Sequence, residues 1–343
     1  MKIVYSDRHR EHAGAKEMRY DQMIPMCESP ERMEVITAAL RAAGLDDFVE
    51  PDHFGLEPVH RVHSPGFIEF LESCYPLWER EFGPGGFATA YTFGMRGMEQ
   101  TPNESVHSML SCYTFDVCVP FVKGTWAAIR SAVDVALTGA KLVQAGEGSA
   151  FSLCRPPGHH ASGDLAGGYC YINNAAVAAQ SYLDAGADRV AILDVDYHHG
   201  NGTQRIFYDR DDVLFVSLHA RPEQEYPFLC GYAREMGAGR GEGFNVNLPM
   251  PLGTAIDPYM EALRHGLEKV RAFAPDILVV SLGVDTFAQD PVGGFKLLSN
   301  DYPLLGREIG RAGLPTHFVM EGGYAVDALG RNTTNVITGF LQG

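Results

Sequence analysis

Basic residues are in short supply: 27 lysines and arginines stand against 43 aspartates and glutamates in 343 residues, a formal net charge of −16. No run of lysine or arginine offers a stripe that could track a phosphate backbone, so nucleic acid is not an expected partner. Apolar runs are short as well. None approaches the roughly 18 residues needed to cross a bilayer, which excludes a membrane-spanning helix as a reading. The seven cysteines (Cys27, Cys74, Cys112, Cys118, Cys154, Cys170, Cys230) are odd in number and contain no CxxC pair, so neither a disulfide framework nor a thiolate zinc knuckle is indicated. Reduced thiols are the expectation. The opening MKIVYSDRHREHAG turns charged after five residues, and with the missing apolar runs this points to a soluble cytoplasmic protein. Repeats, low-complexity tracts and linkers are missing too, so one domain over 1–343 is expected. An acidic excess draws cationic ligands by its field, a hint at the substrate.

Apolar residues make up 45% of the chain, enough for a sizeable core. β-Branched apolar runs alternate with helical patterns, the signature of a parallel sheet covered by helices on both faces. The first run covers 2–5, and buried strands are expected at 149–154, 189–196, 212–219, 276–285 and 316–321. Ser29-Pro30 opens a helix, with serine as N-cap and proline at the first helical position, and Gly44 closes it. Further helices are expected from Ser64-Pro65 and over 125–145. From 83 to 103 neither period is present, which marks an insertion loop at about 83–112. Phe82, Phe87, Tyr91, Phe93, Met95 and Met98 make that segment too apolar for a free solvated loop and typical of an interface, so a homodimer is expected.

Polar chemistry gathers after the strands. The segment 149–154 runs into Arg155-Pro156-Pro157-Gly158-His159-His160, and 190–194 runs into Asp196-Tyr197-His198-His199-Gly200. The strand near 277 ends on Asp285, and 316–321 runs into Gly322-Gly323-Tyr324. In open parallel sheets, ligands bind beyond the carboxyl ends of the strands, so these segments deliver their side chains to one place. Asp196 and His198, two apart on an extended segment, project to the same side and can grip one cation, with Asp285 as a third ligand. An Asp2His set leaves positions open on zinc, which is the catalytic arrangement. A cation there also explains why the fold tolerates buried aspartates, which unpaired cost several kcal/mol each by order of magnitude. His159-His160 follow a Pro-Pro-Gly turn that fixes the backbone, and imidazole is the natural base near neutral pH. Tyr324, on a glycine turn, can donate to a carbonyl or an oxyanion.

SLCRPPGHHA, GGYCYINNAAVAA, AILDVDYHHGNGTQ, VSLGVDTF and MEGGYAV, in this order and over nearly the whole chain, resemble the histone deacetylase superfamily, most closely its bacterial acetylpolyamine amidohydrolase branch. The resemblance implies an α/β protein with the arginase/deacetylase fold, an eight-stranded parallel sheet between helices, and one catalytic Zn2+. It makes Asp196, His198 and Asp285 the zinc ligands and Tyr324 the residue that polarises the scissile carbonyl. His160 becomes the general base and acid, and His159 its electrostatic partner. Asp194 should orient His159. Asn201 stands where some relatives have an aspartate behind the second histidine, so the pKa of His160 should be less elevated than in those relatives.

Structural K+ is implied at Asp194, Ser217 and main-chain oxygens of Asp196, His198 and Leu218. A second K+ would use main-chain oxygens of Phe207, Arg210, Val213 and Phe244. Tyr169 and Tyr226 resemble the aromatic pair that walls the acyl-amine tunnel, and 83–112 resembles the dimer-forming loop that narrows its mouth. The position where that branch can place an acidic amine-binding residue lands on His107, with Glu104 and Glu99 close enough to substitute. The expected function is therefore removal of an acetyl or short acyl group from a primary amine, an acetylated polyamine or small diamine. The alternatives are a protein acetyl-lysine deacetylase, a binuclear manganese ureohydrolase suggested by Asp290-Pro291 after Asp285, and a catalytically silent acetyl-amine sensor. A sensor would not need the proton relay that Tyr324 and His159-His160 supply.

Overall fold

The computed structural model describes residues 1–19, 21–95 and 100–343. Its strands, in chain order, are β1 (Lys2–Val4), β2 (Lys16–Arg19), β3 (Gln22–Pro25), β4 (Phe48–Val49), β5 (Ser149–Ser152), β6 (Val190–Asp194), β7 (Val213–Ala220), β8 (Asn245–Met250), β9 (Ile277–Leu282) and β10 (Thr316–Met320). Eight of them form one parallel sheet in the order β4-β1-β5-β10-β9-β6-β7-β8, while β2 and β3 make a separate antiparallel hairpin. The central strands are buried along their whole length, every residue of β6, β7 and β10 included. Near-continuous Val, Ile and Leu suits a sheet with both faces covered.

One face packs on helices Glu31–Ala42, Ile256–Phe273, Tyr302–Gly310 and Val326–Phe340, the other on Thr125–Gln144 and Asn174–Asp184. Register then decides where the chemistry emerges. Asp194 pairs with Ser217 on one side and Ser281 on the other; Ser281 pairs with Val319, and Val319 with Ser152. Because these residues lie in one row, the segments that follow them leave the sheet along one edge.

Several boundaries differ from the sequence reading. The first long helix begins at Glu31, and Pro30 already has helical backbone; Ser29 contributes its carbonyl to the Arg32 amide, not its side chain. Strands β4 and β8 have no counterpart among the expected runs, because β4 is two residues long and β8, NVNLPM, is a polar edge strand with a proline. Within the insertion, the described residues of 83–105 form no helix, yet Val106–Tyr113 is helical and buries Val106 and Leu110 in a third apolar cluster with helix Pro65–Phe82. Phe82, Tyr91, Phe93 and Met95 are exposed, Phe87 is half-buried, and Met98 lies outside the described residues. Among the described residues no helix is long and apolar enough to cross a membrane.

Candidate active site

Asp196 and His198 follow the end of β6, and Asp285 lies just past the end of β9. Both aspartates are fully buried, and ligand atoms of the three residues lie within 4.8 Å of one another. The His198 Nδ1 sits 3.0 Å from Asp285 Oδ2 and 3.3 Å from Asp196 Oδ1. The outer oxygens are held by the backbone: Gly322 N–H donates to Asp196 Oδ2 at 2.8 Å and Tyr197 N–H to Asp285 Oδ1 at 2.9 Å. Glycine is required at 322, since a Cβ there would stand 2.5 Å from an oxygen of each aspartate. Burial and the Asp196 charge push Asp285 up to about 7, whereas Asp196, despite its burial, is held well below the carboxylate range by His159 and His198. Two buried carboxylates converging with one imidazole fit a divalent cation by donor type and by charge, and three protein ligands leave coordination positions open.

The histidine pair is tied to the same edge. Gly158 and His159 N–H groups donate to Glu321 Oε2 at 2.7 and 3.1 Å, which pins the turn against the end of β10. His159 Nδ1 lies 2.9 Å from Asp194 Oδ2, its Nε2 3.7 Å from Asp196 Oδ1, and its ring 4.0 Å from that of His160. Burial works against a charge on His159, but Asp196 and Asp194 outweigh it and raise its pKa to about 10. His160 goes the other way: burial and the neighbouring His159 and His198 drive it well below 6.5. Its Nδ1 donates to Asn201 Oδ1 at 2.6 Å, which leaves Nε2 free to accept a proton. Asn201 is thus a neutral hydrogen-bond partner of His160.

Tyr324 sits on a turn whose amides are gathered by Asp290: Oδ2 accepts from Tyr324 N–H at 2.7 Å and Ala325 N–H at 3.0 Å. Asp290, the residue behind the ureohydrolase alternative, is therefore engaged with backbone. The Arg32 guanidinium, unexpected from sequence, lies 4.8 Å from the Tyr324 ring centre and donates to the Gly323 carbonyl at 2.7 Å. Buried Glu28 balances Arg32 and Arg155 at 2.9 and 2.7 Å. Burial pushes the Tyr324 phenol well above its ordinary pKa, so it is a proton donor at neutral pH.

Above these groups opens a cavity of about 360 Å³ with His160, His198 and Tyr324 in its lining and Tyr169 and Tyr226 among its walls. Tyr169, at φ 68°, has its ring 5.5 Å from that of Tyr324 and its hydroxyl on Glu17. Tyr226 meets His160 edge-on at 4.9 Å, and its hydroxyl donates to Asp116 Oδ2 at 2.6 Å. The same Asp116 carboxylate accepts from Gly168 N–H and Cys118 N–H, both at 2.8 Å, so one residue fixes both walls.

His107 and Glu104 do not line this cavity. The helix phase turns His107 into an aromatic cluster, with rings of Trp78, Phe82 and Tyr91 at 5.9, 5.4 and 5.4 Å. Glu104 is exposed just before that helix, and Glu99 lies outside the described residues. At the implied potassium position, Asp194, Ser217 and Leu218 are buried side by side, and Ser217 Oγ lies 2.8 Å from His219 Nδ1. The sequence does not point to Arg19, Cys118 and Glu225 in the cavity lining or to Asp116 behind its walls, because each arrives from a segment with no motif of its own.

A histidine doublet, an Asp2His cluster and a glycine-turn tyrosine, brought to one edge of an eight-stranded parallel sheet, place the chain in the histone deacetylase family, to which it belongs: residues 26–340 match the histone deacetylase domain. The fold is the arginase/deacetylase fold that the motifs imply. The chain is 48% identical over 340 residues to acetylpolyamine amidohydrolase 2 of Pseudomonas aeruginosa, covering 99% of this chain and 98% of the relative. To the acetylpolyamine amidohydrolase of Mycoplana ramosa it is 46% identical, with 99% of each chain covered. The crystal structure of acetylpolyamine aminohydrolase from Burkholderia pseudomallei superposes with a TM-score of 0.92 at 39% identity, covering 99% of this chain and 98% of that one.

Proposed function

We propose that this protein is a zinc-dependent amidohydrolase that removes an acetyl group from small N-acetylated primary amines, acetylated polyamines and diamines first among them. The observation that carries this reading is the meeting of a three-donor cluster, a proton-accepting histidine and a phenol donor in the lining of one cavity. The relatives named for acetylpolyamines, matched along almost their whole length, supply the substrate class. Asp196, His198 and Asp285 would hold one Zn2+, which when bound polarises the scissile carbonyl and lowers the pKa of a water from ~15.7 towards ~7.

His160 takes the proton from the attacking water at Nε2, since Nδ1 is committed to Asn201. His159, held charged between Asp194 and Asp196, stabilises the negative charge that develops beside it. Tyr324 donates to the tetrahedral oxyanion. Protonated His160 then gives its proton to the leaving nitrogen, because an amide anion cannot depart. Tyr169 and Tyr226 exclude water along the walls.

A structural K+ at Asp194, Ser217 and the Leu218 carbonyl belongs to the same proposal. So does a homodimer formed through the exposed aromatic residues Phe82, Tyr91 and Phe93 of the insertion region. The cytoplasm is the proposed compartment, in keeping with seven free thiols.

The test is amine release from acetylputrescine, acetylcadaverine, acetylspermidine and an acetyl-lysine peptide. Turnover of the small amides ahead of the peptide is expected. A zinc-loaded protein that releases amine from none of them contradicts the reading.

A further inference from the structure

The entrance of the cavity carries a cation that has no ionic partner among the described residues. Arg19 ends strand β2 and lines the same cavity as His160 and Tyr324. It is half-exposed, whereas His160 and Tyr324 are only 4% and 8% exposed, so it marks the open end. Its guanidinium donates to the Pro291 carbonyl and directs an N–H to Cys27 Sγ at 3.8 Å. Both acceptors are uncharged; burial and the nearby Glu17 push the Cys27 thiol up to about 11. Arg19 forms no ion pair among the described residues. A guanidinium has five N–H donors, so several remain for a ligand.

The carboxylates around the cavity are committed elsewhere. Glu225 accepts from the Tyr197 hydroxyl at 2.8 Å and from Tyr226 N–H at 3.0 Å. Asp116 receives Tyr226, Gly168 and Cys118, and buried Glu17 receives the Tyr169 hydroxyl. These acids hold the walls in place, while Arg19, without an ion pair among the described residues, presents its charge at the mouth of a chain whose net charge is −16. Its tether to the Pro291 carbonyl fixes the planar fork, a geometry that suits two parallel hydrogen bonds to a carboxylate.

We propose that Arg19 binds a carboxylate at the end of the substrate opposite the acyl amide, which extends the substrate class from acetylated di- and polyamines to acetylated amino carboxylates. The proposal rests on the amidohydrolase reading and adds a specificity residue to it.

The test uses three amides with one spacer: 6-acetamidohexanoate, N-hexylacetamide and N-acetylcadaverine, ending in carboxylate, methyl and ammonium. For the zinc-loaded wild type, kcat/KM should be at least about tenfold higher for the carboxylate than for the neutral amide, the scale of one charge-assisted hydrogen bond. Arg19→Gln should bring that ratio close to one through KM, Arg19→Lys should retain part of it, and N-acetylcadaverine should gain in the glutamine variant. Calorimetric binding of the same amides to the Tyr324→Phe protein, with and without Arg19→Gln, gives the ratio independently of turnover. Loss of the carboxylate preference in binding, with no hydrolysis of any amide, overturns the amidohydrolase reading and upholds the role of Arg19. Hydrolysis of all three with ratios that Arg19→Gln does not move overturns the Arg19 proposal and upholds the chemistry.

Discussion

Asp285→Ala should lose both bound zinc and turnover, with activity falling to background. Among the described residues three protein groups converge on the candidate metal position, and Asp285 supplies an oxygen 3.0 Å from the ring of His198. Without the third ligand the site retains one carboxylate and one imidazole, too few to hold zinc in a catalytic geometry. Alanine also orphans the Tyr197 N–H that Asp285 now accepts, so some lost stability is expected as well. Asp285→Asn separates the two effects, because the amide oxygen can still accept that bond while the charge is gone. Elemental analysis should show both variants depleted of metal, and thermal unfolding should show the asparagine variant close to wild type. Full zinc occupancy with normal turnover in either would remove Asp285 from the site.

Tyr324→Phe should behave differently: metal retained, fold retained, and kcat reduced by about 10²–10³, the scale for deleting one oxyanion donor. The Tyr324 hydroxyl makes no hydrogen bond to any described residue, so the change breaks no internal bond. The phenyl ring fills the same space and keeps its contacts with Arg32 and Tyr169. Substrate binding should therefore change less than turnover, and KM should stay within a few-fold of wild type. A phenylalanine variant with wild-type kcat would mean that the phenol plays no part in holding the oxyanion.

How much of this could be read from the sequence follows from where each residue sits. Asp196, His198 and Asp285 were legible because the strands before them are nearly pure Val, Ile and Leu, and a parallel sheet sends all its carboxyl ends to one edge. Their level register, with Asp194 between Ser217 and Ser281, is the physical reason that distant motifs meet. Strands β4 and β8 escaped notice because two residues carry no period, and because an edge strand with asparagines and a proline lacks the apolar signature of a buried one.

His107 is a tunnel candidate only by its position along the chain, as the family resemblance implies. Position along the chain carries no information about helix phase, and the phase of Val106–Tyr113 turns that ring towards Trp78 and Phe82. Arg19, Asp116 and Glu225 belong to a hairpin and two loops whose convergence is a property of the packed molecule. Nothing in their local sequence marks them, yet they determine how the walls stand and what charge the entrance presents.

The central claim is that one divalent ion at Asp196, His198 and Asp285 makes the chain an amidohydrolase. Removing metal with a chelator, confirming its loss by elemental analysis and adding Zn2+ back while following acetylputrescine hydrolysis tests this most directly. Activity should vanish with the metal and return in proportion to added zinc, reaching its plateau at one equivalent per chain. Turnover that persists in metal-free protein, or a plateau reached only at two equivalents per chain, would contradict the account.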